Sequence, residues 1–132
     1  MSKPLVSIVM PVYNSESTIR RSLESVKNQT FEDFEFVIVD NNCTDSSMSI
    51  VNEFKNELNI NIIKCETPGI VPALNSGLRA ARGEWIARQD ADDYWYRQKL
   101  EKQMDFLKQN PDVQILGTQI RLLDEEGQVQ EK

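Results

Sequence analysis

The chain has 132 residues, 39% of them hydrophobic and 27% charged, with a formal net charge of -6 and no histidine. That length supports one domain with a single core, while the acidic balance, with no Lys/Arg stripe to neutralise phosphates, argues against nonspecific nucleic-acid binding. No run approaches the ~18 apolar residues of a membrane span, and the lack of histidine removes the usual general base and the commonest transition-metal ligand.

Met1-Ser2-Lys3-Pro4 leads straight into a strand-like run without a signal-peptide pattern, so the expected location is the cytoplasm, at most peripheral to the inner face of the membrane. Cys43 and Cys65 form no C-x-x-C, which fits free thiols better than a zinc site or a disulfide framework.

In chain order, Leu5 to Met10 is a short apolar run closed by Pro11, the pattern of a strand buried on both faces. Ile19, Leu23 and Val26 then recur at helical spacing up to about Gln29, after several N-cap candidates between Tyr13 and Ser17. Phe34 to Val39 is rich in β-branched and aromatic residues and predicts a second strand that delivers Asp40 at its C-terminal end. A second helix is expected after Thr44-Asp45-Ser46-Ser47, with Ile50, Val51, Phe54 and Leu58 on one stripe.

Ile60 to Cys65 predicts a third strand, broken by Thr67-Pro68-Gly69. The third helix is expected to carry Val71, Leu74, Leu78 and Ala81 on one face, its apolar stripe, with Pro72 in its first turn, and a strand from Glu84 to about Gln89 follows Gly83. Tyr96, Leu100, Met104 and Leu107 mark a fourth helix ended by Asn110-Pro111. Val113 to Gly117 and Gln119 to Leu123 read as further strand, with Asp124 to Gly127 as a turn.

Strands alternating with helices predict an α/β fold, an open, mostly parallel, doubly wound sheet with helices on both faces. Ligands of such sheets bind beyond the carboxyl ends of the strands, where the strand order reverses. The unusual polar residues fall at those ends: Tyr13 and Asn14, Asp40, and the cluster Asp90, Asp92 and Asp93. Three carboxylates within four residues repel one another unless solvent or a cation intervenes, and oxygen-only ligands suit a hard divalent ion. Each feature also has a plain structural role open to it. Asp90 to Asp93 could be an acidic turn, Pro11 to Asn14 a strand exit, Asp40 an Asx-turn, Asn75 a structural amide, and Arg88 a counter-ion for the cluster.

Taken together, Val6 to Asn14, Val37 to Asp40, Ala73-Leu74-Asn75-Ser76-Gly77-Leu78 and Ala81 to Asp93 resemble the family-2 inverting glycosyltransferases of GT-A fold, of the bacterial surface-polysaccharide type. The resemblance continues through Arg97, Leu100, Gln103, Phe106-Leu107, Asn110-Pro111 and Gly117. It implies a nucleotide-sugar donor held by Pro11, Val12, Tyr13, Asn14, Asp40, Asn75, Arg88, Asp90 and Asp92. Tyr13 would stack on the base, Asp40 would accept from a ring N–H, and Mn²⁺ or Mg²⁺ would sit on Asp92 or Asp93. A saccharide or lipid-linked saccharide is the implied acceptor.

Where members commonly have Asp-Asp-Gly-Ser-Thr-Asp, this chain has Asp40-Asn41-Asn42-Cys43-Thr44-Asp45, losing the second acid and the glycine. The family's catalytic carboxylate and acceptor-binding elements lie beyond the D-x-D stretch, so residues 1–132 are expected to form a donor-binding domain without the acceptor part and with no catalytic base of their own. The alternative is a non-catalytic nucleotide-sugar-binding module. A phospho-accepting receiver domain fits less well, because strand one ends in Pro11-Val12-Tyr13-Asn14, and a dinucleotide-binding domain lacks its G-x-G-x-x-G. A bare sheet edge or apolar face makes a homo-oligomer an expectation as well.

Overall fold

The computed structural model describes residues 3–117. Backbone contacts divide the chain at Glu101/Lys102 into two compact units. The first holds a four-stranded sheet built from β1 (Val6–Val12), β2 (Phe34–Asp40), β3 (Ile60–Lys64) and β4 (Trp85–Arg88). The helices between them are α1 (Ile19–Lys27), α2 (Ser47–Glu53) and α3 (Ile70–Ala80), and α4 (Lys99–Gln109) crosses into the second unit.

All three ladders are parallel and the strand order is β3-β2-β1-β4. The chain therefore moves outward from β1 through β2 to β3, then returns to the other side of β1. Right-handed crossovers in opposite directions put α1 and α2 on one face and α3 on the other, and the point of reversal falls between the carboxyl ends of β1 and β4.

The two central strands are apolar on both faces because both are covered: Ile8, Val9, Met10, Phe36, Val37, Ile38 and Val39 are each almost wholly shielded from solvent. One polar cluster sits among them. Glu35 accepts from Ser7 Oγ at 2.5 Å, from the Arg82 backbone N–H at 2.7 Å and from Arg82 Nε at 3.2 Å, and Ser7 Oγ in turn accepts from Gly83 N at 2.7 Å. Burial alone would push the Glu35 carboxyl up, but these donors outweigh it and hold it below the ordinary glutamate range. Arg82 is thus the partner of a buried acid rather than a merely solvated helix charge.

The apolar stripe expected on one face of α3 is not the face that this helix buries. Val71 and Leu78 are 64% and 47% exposed, and the buried residues of this helix are Ala73 and Gly77. A Cβ on Gly77 would stand 2.4 Å from Val9 Cγ1 and 3.2 Å from Val39 Cγ2, so the helix approaches the sheet through its smallest residues and its larger ones are turned aside. The second helix is shorter than its apolar stripe implied, ending at Glu53 with Phe54 as C-cap; Leu58 closes a following turn through its N–H to Phe54 O.

In the second unit, Asn110 Nδ2 donates to Phe106 O and the Val113 N–H to Asn110 O, which turns the chain after α4. Val113 to Gly117 form no strand, because they find no ladder partner among the described residues. The strand expected at Gln119 to Leu123 and the turn at Asp124 to Gly127 lie outside the described residues.

Candidate functional site: a cleft beyond the strand ends

A cleft of about 1070 Å³ opens beyond the carboxyl ends of the sheet. Six of the predicted residues line it: Pro11, Val12, Tyr13 and Asn14 after β1, and Asp90 and Asp92 after β4. Tyr13 is 64% exposed there, an aromatic face left open to solvent. Asp40, Asn75, Arg88 and Asp93 are not among the lining residues. Asp40 instead accepts the Cys43 N–H at 3.0 Å, an Asx-type turn that leads the chain out of β2 through Asn42 at positive φ. Arg88 donates from Nε to Asp90 Oδ1 at 3.1 Å and so serves as the cluster's local counter-ion.

The rest of the wall includes residues that the sequence did not mark as site residues, among them Ser15, Ser17 and Thr18 before α1, Asn41 and Asn42 after β2, and Glu66, Pro68 and Gly69 after β3. Asn41 is buried with every amide bond made, donating to Cys65 O at 3.0 Å and Thr67 O at 2.9 Å and accepting from Gly69 N at 3.2 Å. Asn14, at φ 40°, reaches the neighbouring loop, where its Oδ1 accepts from the N–H of Thr44 at 2.8 Å. The strand-end loops thus brace one another. The available signal was positional, because Thr67-Pro68-Gly69 also follows a strand's carboxyl end. Beside the cleft, Cys43 donates to Val12 O at 3.3 Å, and burial first, then Asp40, pushes its thiol up to about 11.

Asp90, Asp92 and Asp93 each offer a carboxylate oxygen within 4.8 Å of the others. The Asp93 N–H bonds to Asp90 O at 3.1 Å, a tight turn that stacks the three acids at one point. Burial, then Asp92 and Asp90, push the Asp93 carboxyl up, with Lys99 and Arg88 opposing. An octahedral ion with ligands at roughly 2.1 Å would draw oxygens to about 3 Å apart, a contraction that exposed side chains can make by rotation. No lysine or arginine lines the cleft among the described residues, whereas Glu66, Asp90 and Asp92 do. A phosphate entering it would meet like charge, and the donor set fits a hard divalent cation as the bridge.

The profile of the family described as glycosyl transferase family 2 matches residues 7–131. An Escherichia coli UDP-Glc:α-D-GlcNAc-diphosphoundecaprenol β-1,3-glucosyltransferase, WfaP, is 36% identical over 104 residues, covering 79% of this chain and 41% of that protein. The crystal structure of Staphylococcus aureus TarS 1-349 in complex with UDP superposes with a TM-score of 0.74 at 34% identity, over 82% of this chain and 32% of that one. The Pyrobaculum calidifontis mannosyltransferase PcManGT, in complex with GDP-Man and Mn²⁺, superposes with a TM-score of 0.72 at 30% identity, over 81% of this chain and 33% of that one. This chain spans less than half the length of these relatives. Among the described residues no helix is long and apolar enough to cross a membrane. With the open parallel sheet, the cleft at its point of reversal and the profile match over most of its length, the chain belongs to glycosyl transferase family 2.

Proposed function

We propose that this chain is the donor-binding portion of an inverting, metal-dependent glycosyltransferase that takes its sugar from a nucleotide-diphosphate donor, UDP-linked, and serves surface-polysaccharide synthesis. The observation that carries this reading is an acidic trio, two of whose members, Asp90 and Asp92, line a cleft that holds no cationic side chain among the described residues. Tyr13 and Pro11 offer the base a face to stack on, and Asp40 stands beside them at the end of the next strand. Asp90 and Asp92 face the cleft, and Asp93 completes the oxygen set. Bound there, Mn²⁺ or Mg²⁺ would supply charge neutralisation for the departing nucleoside diphosphate. The relatives support these assignments by what they bind: UDP in TarS, GDP-Man with Mn²⁺ in PcManGT.

In the complete reaction an acceptor hydroxyl, on a saccharide or lipid-linked saccharide, displaces the nucleotide at the anomeric carbon in one step. A general base must take the hydroxyl proton. Asp90, Asp92 and Asp93 are committed to the ion in this reading and Glu66 is the other carboxylate of the lining; residues 1–132 are expected to bind donor but to transfer little or no sugar alone. Calorimetry tests the proposal: UDP should bind only with Mn²⁺ or Mg²⁺ present, and Asp92→Ala with Asp93→Ala should abolish that metal dependence. Equal UDP binding with and without metal would overturn it.

A further inference from the structure

We infer that Thr18, Ser22 and Gln89 are positioning residues for the acidic turn, setting the geometry at which its carboxylates can share a divalent cation. The inference rests on the donor-binding reading above. Each of the three reaches a backbone carbonyl of the turn. Thr18 Oγ1 donates to Ala91 O at 3.0 Å, Ser22 Oγ to Asp90 O at 3.2 Å, and Gln89 Nε2 to Asp93 O at 3.2 Å. Gln89 Nε2 also donates to Ser22 Oγ at 2.7 Å, so the clamps are joined. The carbonyls of residues 90 and 91 are held by α1 and its N-cap residue and that of residue 93 by Gln89, while the carboxylate oxygens of the three acids gather within 4.8 Å of one another.

Structural necessity alone does not account for this arrangement. Ser22 and Gln89 are 0% and 1% exposed, in a buried polar patch with Ser25 and Gln29 beside the apolar Ile19, Leu23 and Val26 of α1. Gln89 Oε1 is buried without a hydrogen-bond partner among the described residues, a desolvation penalty that an apolar side chain of the same size would avoid. What the amide supplies in return is the N–H on Asp93 O and the one on Ser22 Oγ. These residues act one step further back than partners bonded to the ligands themselves, whose loss typically weakens metal affinity by 10- to 100-fold: they fix the backbone from which the carboxylates project.

The test uses the whole chain and three substitutions, Gln89→Met, Thr18→Val and Thr18→Ser, with calorimetric titration of Mn²⁺ alone and of UDP at saturating Mn²⁺, and thermal melting alongside. Gln89→Met is isosteric without the N–H and without the orphaned carbonyl. We expect about tenfold weaker Mn²⁺ binding with the melting temperature unchanged or raised. Thr18→Val should weaken Mn²⁺ binding in the same sense, and Thr18→Ser, which keeps the hydroxyl, should restore it. A wild-type chain that binds Mn²⁺ and UDP while both Gln89→Met and Thr18→Val bind them equally well would overturn the positioning role alone. A wild-type chain with no metal-dependent UDP binding would overturn the donor-binding reading, and the positioning role with it.

Discussion

The side chain of Asn41 holds the Gly69 N–H at 3.2 Å while its own amide donates to the carbonyls of Cys65 and Thr67. One residue at the end of β2 therefore fixes the loop that forms the far wall of the cleft. An ionised carboxylate at this position could not donate to either carbonyl. Asn41→Asp should destabilise the chain by about 1–3 kcal/mol, because the buried Cys65 carbonyl and the partly buried Thr67 carbonyl are left facing a charge. Urea unfolding checks the stability, and amide exchange at Gly69 should accelerate with it; an unchanged midpoint would mean that the loop has other support.

Gly77→Ala sets two effects against each other. Alanine gains about 1 kcal/mol of helix propensity over glycine, but its Cβ would stand 2.4 Å from Val9 Cγ1. Overpacking of a filled core costs roughly 1–3 kcal/mol, so the substitution should be net destabilising. Combining it with Val9→Ala should be less damaging than the sum of the two, which a double-mutant cycle in denaturant measures directly.

Glu35 links stability to acid. Its folded-state carboxyl lies below the ordinary value of 4.5 because the bonds from Ser7 and Arg82 outweigh burial. A depressed acid contributes stability that is fully present above its unfolded value and is lost as pH falls through the lower, folded one. Thermal midpoints should hold down to about pH 5 and fall below pH 4.5, and Glu35→Gln should flatten part of that fall. Removing the side chain with Glu35→Ala should cost about 1–3 kcal/mol at neutral pH, since Ser7 Oγ and the Arg82 backbone N–H lose their acceptor while the largely exposed Arg82 guanidinium can turn to water.

Tyr13 should matter for binding and not for folding. Its ring is 64% exposed in the cleft wall, so Tyr13→Ala should leave the melting temperature within a degree or so. Stacking on a base is worth about 1–3 kcal/mol, and UDP affinity should drop roughly five- to 100-fold, with Tyr13→Phe close to wild type. Equal affinity for all three would remove Tyr13 from the donor site.

The central sheet was legible because β1 and β2 are apolar runs interrupted only by Ser7 and Glu35 before their ends, and near-continuous runs of this kind mean burial on both faces. The acidic turn was legible because three carboxylates in four residues demand an explanation wherever they fold. The buried face of α3 was not. A stripe search weights large side chains, and this helix packs through Ala73 and Gly77, whose contribution is close backbone approach rather than apolar area. The clamp from Thr18 and Ser22 was hidden for a related reason. Hydroxyls spaced along α1 look like solvent-facing residues until the turn after β4 is brought against them. Asn41 looked like a lost acid and is instead a latch. Val113 to Gly117 had strand composition, but a strand also needs a neighbour to pair with.

A divalent cation on Asp90, Asp92 and Asp93 is what donor binding at this cleft requires in the function proposed. Paramagnetic broadening of the amide NMR spectrum by substoichiometric Mn²⁺ tests it most directly. The amides of residues 90–95 and of Thr18 should vanish first, and UDP added with the diamagnetic Mg²⁺ should then shift those of Tyr13 and Asn14. Broadening centred on other acidic surface, such as Glu53 and Glu57, or spread evenly over the chain, would contradict it.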